Sequence, residues 1–174
     1  MKGLIHIYTG DGKGKTTAGI GLALRFAGTG GKVLYCQFLK NDDSSELTIL
    51  ANLEQVTFLP SGKSFGFTFQ MTEQTRQEAT AHYTLYFENI LQKIRQESYG
   101  LLILDEILAA DSQHFIPHEM LLSFLSQKPD SLEVVLTGRN PSDDILELAD
   151  YISDIRKIRH PYDQGIPARK GIER

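Results

Sequence analysis

The sequence predicts a three-layer α/β fold, in which helices cover both faces of an open, mostly parallel sheet. Short apolar runs rich in β-formers alternate along the chain with longer segments of helical period. The first three segments, at 3–8, 17–27 and 33–39, predict strand, helix and strand, which is the crossover that parallel strands require. With 174 residues and no linker or repeat, the chain has the length of one domain, assigned to residues 1–174.

The later segments continue the same alternation. A helix is predicted at 72–95, and its apolar residues recur with helical period: Ala79, Tyr83, Tyr86, Phe87, Ile90, Leu91 and Ile94. Pro117 suits the start of another helix, and Asn140-Pro141 is expected to cap a short one. The remaining strands are predicted at 56–59, 101–104, 132–137 and 151–158.

Composition narrows the classes of function. The net charge is −4, whereas a general nucleic-acid binder is usually basic, so no nucleic-acid partner is expected. Cys36 is the one cysteine and lies in a predicted strand, so we expect a small buried hydrophobe and no disulfide. No signal peptide is visible and no apolar stretch approaches the roughly 20 residues of a membrane helix, which predicts a cytoplasmic protein.

A glycine-rich turn joins the first strand to the first helix, and it reads T-G-D-G-K-G-K-T-T over residues 9–17. Its end, Gly14-Lys15-Thr16, matches the P-loop pattern, whereas Thr9 stands at the first glycine position and Gly10 follows one place later. Alternate glycines allow positive φ, which lets successive N–H groups point at an anion, and the helix N-terminus adds partial positive charge.

The turn therefore predicts a nucleoside triphosphate site. Gly10, Gly12 and Gly14 allow positive φ, so their N–H groups can point at the phosphates. Lys15 and Lys13 are expected to contact phosphate oxygens, and the Thr16 hydroxyl is expected to bind Mg²⁺. The fold class is accordingly the three-layer P-loop NTPase-like (RecA-like) fold. The alternative interpretation is a turn that only joins a strand to a helix.

Two carboxylates close the apolar strand at 101–104. Asp105 and Glu106 resemble the Walker B pattern, and ligands of parallel sheets bind beyond the carboxyl ends of strands. Both are expected to face the crevice of Lys15 and Thr16, one holding Mg²⁺ and the other orienting water or substrate. The alternative is a pair of solvated acids at a strand end.

The residues alone leave the reaction open. No Ser/His/Asp or Cys/His set indicates a nucleophile, and Pro117 between His114 and His118 argues against a zinc site there. A kinase or ATPase acting on the γ-phosphate, an ATP-gated escort protein, and a transferase whose second substrate attacks the nucleotide all remain. The acidic charge argues against a nucleic-acid motor.

Over nearly its whole length the sequence resembles the P-loop type of the ATP:corrinoid adenosyltransferase family. The resemblance includes the Thr9 deviation, and its matching segments are 8–17, Gln37-Phe38-Leu39-Lys40, Gly66-Phe67-Thr68-Phe69, Leu104-Asp105-Glu106, Leu136-Thr137-Gly138-Arg139-Asn140-Pro141 and 160–173.

The resemblance implies transfer of the 5′-deoxyadenosyl group of ATP to the cobalt(I) of a corrinoid, with release of triphosphate. The corrinoid would be cobalamin or cob(I)yrinic acid a,c-diamide, in adenosylcobalamin synthesis or salvage. It further implies ATP as co-substrate, Mg²⁺ or Mn²⁺, a flavoprotein reductase that supplies cobalt(I), and a homodimer. The protein would need to hold and neutralise the triphosphate rather than supply a nucleophile.

Carried over residue by residue, the resemblance assigns catalysis to Lys15, Glu106 and Asp105, and the metal to Thr16 and Glu106. Phe67 and Phe69 would press on the corrinoid and exclude water, with core packing as the alternative. The ATP-binding residues would be Thr9, Gly10, Asp11, Gly12, Lys13, Gly14, Lys15, Thr16, Thr17, Arg139 and Asn140.

Three departures from the family pattern stand out. Phe69 replaces a common tryptophan, which bears on the choice of corrinoid. Asp11 replaces a common asparagine, so its negative charge is expected to point away from the triphosphate or to meet a cation. The chain begins at the first predicted strand, so we expect no N-terminal extension of the kind that covers the site in longer relatives.

Overall fold

The computed structural model describes residues 2–66 and 68–173, and its six strands form one sheet. The strands are Ile5–Thr9 (β1), Val33–Gln37 (β2), Val56–Leu59 (β3), Leu101–Asp105 (β4), Glu133–Thr137 (β5) and Tyr151–Asp154 (β6). They lie in the order β3-β2-β4-β5-β1-β6, and each of the five pairings is parallel. The predicted α/β class with a mostly parallel sheet is confirmed.

Six α-helices connect the strands: Lys15–Ala27 (α1), Leu47–Leu50 (α2), Glu73–Gln96 (α3), Ile107–Ser112 (α4), His118–Gln127 (α5) and Asp143–Glu147 (α6). One-turn 3₁₀ helices span Thr68–Gln70 and Pro161–Gln164. The sequence did not predict α2 and α4, because helices of four and six residues are too short to show a period. The predicted cap at Asn140 is wrong: Asn140 has a φ of 55°, and Ser142 is the N-cap of α6.

Helices cover both faces of the sheet, as predicted. On one face, α1 and α2 pack against the strands through Ala23, Ala27 and Leu50. On the other face the long helix α3 buries Tyr83 and Phe87 in a larger cluster that includes α4, α5 and α6. Because these side chains are buried against the sheet, each helix is held with one end beside the loops at the edge of the sheet.

The sheet topology brings distant loops to one edge. Because every strand runs in the same direction, the segments that follow β1, β2, β4 and β5 all leave from the same, carboxyl edge. The crossover from β1 to β2 passes β5 and β4, so the loop after β1 lies near the loops that follow those two strands. Any residue at these four strand ends is therefore a candidate for a shared site.

Two further expectations concern the body of the fold. Cys36 is fully buried in β2, where burial raises the pKa of its thiol, so it serves as a small hydrophobe as predicted. None of the helices in the described part of the chain combines the length and the apolar character that crossing a membrane requires.

An ionic cluster connects α4, α5 and α6 in the second half of the chain. His118, the first residue of α5, places Nδ1 3.0 Å from Asp111 in α4 and Nε2 2.8 Å from Asp144 in α6. The two carboxylates raise the pKa of His118 from 6.5 to about 9, Asp144 being the larger influence. The pKa of Asp144 falls to about 2, chiefly through its hydrogen bond with His118. Both ring nitrogens thus have carboxylate acceptors, as an imidazolium requires.

This cluster predicts a stability that depends on pH. A raised histidine pKa adds stability that is complete below 6.5 and disappears as the pH rises through about 9. We therefore expect His118→Asn to lower the urea midpoint at pH 6 and to leave it near wild type at pH 10. His114→Asn, at an exposed histidine, is the control at both pH values. An equal deficit at pH 6 and pH 10 would contradict an ionic role for His118.

Candidate active site at the carboxyl edge of the sheet

The glycine-rich loop lies between β1 and α1, and its glycines have two different functions. Gly10 and Gly14 have φ values of 105° and 121°, so these two positions use the freedom that glycine allows. Gly12 does not adopt positive φ. A side chain at Gly12 would instead place Cβ 2.6 Å from the carbonyl oxygen of Ile155, to which the Gly12 N–H donates at 2.7 Å.

Lys15 sits at the centre of this loop. Its Nζ donates to the carbonyl oxygens of Gly10 and Gly12, each at 2.8 Å, and the residue is only 7% exposed. Burial lowers the pKa of Lys15, and the nearby Glu106 carboxylate opposes that shift. The loop is therefore shaped around its own cation, beside the N-terminus of α1, which is the arrangement that binds phosphate.

The carboxylate of Asp105 connects the loop to the sheet. Its Oδ1 accepts from the hydroxyls of Thr16 at 2.9 Å and Thr137 at 2.7 Å, and its Oδ2 accepts from Lys40 Nζ at 2.6 Å. The side chain is 1% exposed. It therefore holds the start of α1, the end of β5 and the segment after β2 against the end of β4. The alternative of a solvated acid at a strand end is wrong for Asp105.

Glu106, next along the chain, adopts a different position. Its φ of 62° lies in the left-handed region, where a non-glycine residue is uncommon, and its N–H donates to the Thr137 hydroxyl at 2.9 Å. Its carboxylate lines the same pocket as the loop. Burial, and next the charge of Asp105, raise the pKa of Glu106. Among the described residues no side chain hydrogen-bonds to this carboxylate, so it can accept a cation.

A pocket of about 250 Å³ opens over the loop. It is lined by residues 11–17, Glu106 and Arg139. The C-terminal segment also contributes to the lining, including Tyr162 and Ile166. Three cationic side chains, those of Lys13, Lys15 and Arg139, thus line one small pocket together with the acidic residues Asp11, Glu106 and Glu173.

Only some of the other residues predicted to contact the nucleotide line this pocket. Thr9 ends β1, where its carbonyl oxygen accepts from Ile155, while Thr17 lines the pocket. Arg139 reaches the carbonyl oxygen of Asp11 at 3.4 Å, but Asn140 does not line this pocket. The Asp11 carboxylate accepts from the Lys157 N–H at 2.8 Å, which lowers the pKa of Asp11. Its charge is thus satisfied by backbone at the loop rim.

The predicted corrinoid residues belong to the connection between β3 and α3. Phe67 lies outside the described residues. Phe69 is on the one-turn helix at 68–70 and is 79% exposed, so the core-packing alternative is wrong for this ring. Because β3 ends and α3 begins at the carboxyl edge, this connection lies on the same edge as the loop. Phe69 does not line the small pocket itself.

A second and larger pocket, of about 650 Å³, adjoins the first. Thr16 and Thr17 line both pockets. The second is also lined by residues 39–41 and 43–46, which follow β2, and by residues 171–173. Space for a ligand larger than a triphosphate thus continues from the loop toward the end of β2.

The structure adds residues to which the sequence assigned no role. Lys40 and Thr137 both bind Asp105, although they lie 65 and 32 positions from it along the chain. The signal that would have found Thr137 is its place at the end of an apolar strand, the rule that found Asp105. The same rule would have indicated Lys40, because it lies in the segment that follows β2. Residues 160–173 carried the family resemblance, but nothing in their pattern indicated that they form a wall of the pocket.

Comparisons with known proteins agree on one family. The family profile described as ATP:corrinoid adenosyltransferase BtuR/CobO/CobP matches residues 1–174. The corrinoid adenosyltransferase of Escherichia coli (strain K12) is 34% identical over 99% of this chain and 86% of its own length. Corrinoid adenosyltransferase CobA of Salmonella typhimurium is 33% identical over the same shares, and a Sinorhizobium sp corrinoid adenosyltransferase is 35% identical over 99% and 80%.

Among solved structures, Thermomonospora curvata EccC (ATPases 2 and 3, in complex with a signal sequence peptide) superposes with a TM-score of 0.52 at 17% identity. The superposition covers 95% of this chain but only 35% of that one, so the chain spans about a third of the neighbour. This likeness supports the P-loop NTPase-like fold and nothing about the reaction. The sequence relatives are more specific, and because one family profile accounts for every residue, the chain belongs to the ATP:corrinoid adenosyltransferase family.

Proposed function

We propose that the protein transfers the 5′-deoxyadenosyl group of ATP to the cobalt(I) of a corrinoid and releases triphosphate. The observation that carries the proposal is the convergence of Lys13, Lys15 and Arg139 with the Thr16 hydroxyl on one pocket at the start of α1. A triphosphate that leaves as one unit concentrates negative charge, which these three cations can stabilise. Of the acidic residues in the same pocket, Asp11 accepts from the Lys157 N–H, Glu173 pairs with Arg169, and Glu106 is open to a cation. Family membership supplies the identity of the acceptor.

In this reaction the electron pair of cobalt(I) forms a bond to C5′ of the ribose, while the C5′–O bond breaks and its electrons leave on the triphosphate. The protein needs no nucleophile of its own. Lys15, held at the loop centre by two carbonyl oxygens, stabilises the charge that develops on the leaving oxygen. Lys13 and Arg139 act on the outer phosphates, and the loop fixes the distance between C5′ and cobalt.

The residues at the loop also suit a divalent cation. The Thr16 hydroxyl and the Glu106 carboxylate supply hard oxygen donors, with Asp105 orienting Thr16 through its hydrogen bond at 2.9 Å. In the described part of the chain no group of three or more His, Cys, Asp or Glu side chains is suited to a metal. Mg²⁺ or Mn²⁺ would therefore take its other ligands from phosphates and water, and it would neutralise charge on the triphosphate.

The corrinoid is proposed to approach from the connection between β3 and α3. An exposed phenyl ring on this edge offers an apolar face that can exclude water from one side of the corrin, and Phe69 is such a ring. Phe67 is proposed for the same role from the sequence alone. We further propose a homodimer in the cytoplasm that receives cobalt(I) from a flavoprotein reductase.

The identity of the phosphate product tests the proposed reaction. Under anaerobic conditions, the protein with ATP, Mg²⁺ and chemically reduced cob(I)alamin is expected to yield light-sensitive adenosylcobalamin and inorganic triphosphate. The corrinoid spectrum and chromatography of the phosphates report the two products. ADP and phosphate with an unchanged corrin spectrum would mean γ-phosphate chemistry, and binding without turnover would mean an escort protein.

Lys15 tests the role of charge in the loop. Lys15→Ala is expected to lower the rate of adenosyl transfer by about 10²–10³-fold, the usual effect of removing one group that stabilises a developing anion. Lys15→Gln can still donate to the loop carbonyl oxygens but lacks the charge, and we expect a similar loss. Lys2→Ala, at an exposed lysine near the opposite edge, is the control. Near-normal turnover by Lys15→Gln would contradict the electrostatic role.

Phe69 tests the approach of the corrinoid. Phe69→Ala is expected to slow turnover when cobalt(II) is supplied with a weak reductant, and to leave turnover of chemically reduced cob(I)alamin close to wild type. Because the ring is 79% exposed, the urea midpoint is expected to change little. Leu85→Ala, at a residue of α3 that is 56% exposed, is the matched control. Equal rates of turnover from cobalt(II) in Phe69→Ala and Leu85→Ala would contradict a contact between Phe69 and the corrinoid.

A further inference from the structure

The ammonium group of Lys40 contacts both Thr16 and Asp105, whose hydrogen bond joins the loop to the sheet. Its Nζ lies 2.6 Å from Asp105 Oδ2 and 3.2 Å from the Thr16 hydroxyl. The segment that carries it leaves β2 through Leu39, which has a φ of 56° in the left-handed region. A bulky residue is uncommon there, and such conformations concentrate at functional sites. The turn directs Lys40 back over the strand ends.

The ammonium stands where a divalent ion would bind. A P-loop threonine and the carboxylate at the end of a neighbouring strand are the oxygens that hold Mg²⁺ in P-loop proteins. Here both of those oxygens are within 3.2 Å of Lys40 Nζ. A divalent ion and an ammonium cannot share them at that distance, because two cations a few ångströms apart in a buried site repel strongly.

Asp105 has little capacity left for another cation. Two hydroxyls donate to Oδ1, and besides Lys40 the Gln37 amide lies 3.4 Å from Oδ2. Thr16 has a further contact with Lys40. A divalent ion that used either residue would therefore have to displace Lys40, whereas Glu106 would be available without any rearrangement.

We propose that Lys40 is an internal counter-cation that competes with the divalent ion, so that the metal binds strongly only together with a triphosphate. A phosphate chain in the loop would offer Lys40 new acceptors, since Lys40 lines the pocket that continues from Thr16 and Thr17. The side chain is 26% exposed and has a flexible four-carbon stem, which allows the movement. The inference rests on the proposed function, because it concerns the ion that accompanies ATP.

A metal titration without ATP or corrinoid tests the inference, so its outcome is independent of whether adenosyl transfer occurs. Mn²⁺ binding is measured by electron paramagnetic resonance of the free ion. Lys40→Met keeps the length of the side chain and removes the charge, and we expect Mn²⁺ to bind at least about tenfold more tightly than in the wild type. Lys93→Met is the matched control, because Lys93 forms an ion pair of 2.7 Å with Glu97 at the far end of α3.

Two further variants keep the result decisive. Lys40→Gln, which can still donate to Asp105, replaces Lys40→Met if that variant does not fold, and the same tightening is expected. In Lys40→Met combined with Asp105→Asn, the gain is expected to disappear, because the carboxylate that orients Thr16 and that Lys40 neutralises in the wild type is gone. Mn²⁺ affinity within twofold of the wild type in the neutral variants, or a gain that persists with Asp105→Asn, would overturn the proposal.

Discussion

The buried carboxylate of Asp105 is the point on which the site depends. It accepts hydrogen bonds from the start of α1, the end of β5 and the segment after β2, through Thr16, Thr137 and Lys40. An ionised group that is 1% exposed persists only when it is fully paired, and removing one partner of such a pair typically costs about 3–5 kcal/mol. The phosphate loop is thus held in register with three other strands by one charge.

That arrangement explains how an acidic protein can present a site for anions. The net charge is −4, yet two lysines and an arginine are gathered at one pocket, where they lie beside three acidic residues. The electrostatic field at the site is set by these few close groups, because more distant surface charges are screened within about 10 Å. The overall charge therefore argued against nucleic acid without arguing against a triphosphate.

The strong local patterns of the sequence were sufficient for much of the fold and for the centre of the site. Each of these patterns can be recognised in one continuous stretch of sequence: the apolar strands, the helical period of α3, the glycine-rich turn and the acids at the end of β4. The contacts of Lys40 and Thr137 with Asp105 span 65 and 32 positions, so no local pattern contains them. The steric reason for glycine at position 12 was hidden for the same reason, since the atom that excludes a side chain belongs to Ile155.

The glycines of the phosphate loop have a consequence for how such loops change in evolution. A Cβ at Gly10 or Gly12 would meet the Ile155 carbonyl oxygen at 2.4 or 2.6 Å, whereas at Gly14 it would meet nothing within 4 Å. Gly10 and Gly12 are thus required by the segment that follows β6, and Gly14 is required by its φ of 121°, whatever the loop binds. A descendant that lost its nucleotide would still keep all three glycines. Retained glycines alone would then be a poor guide to retained activity.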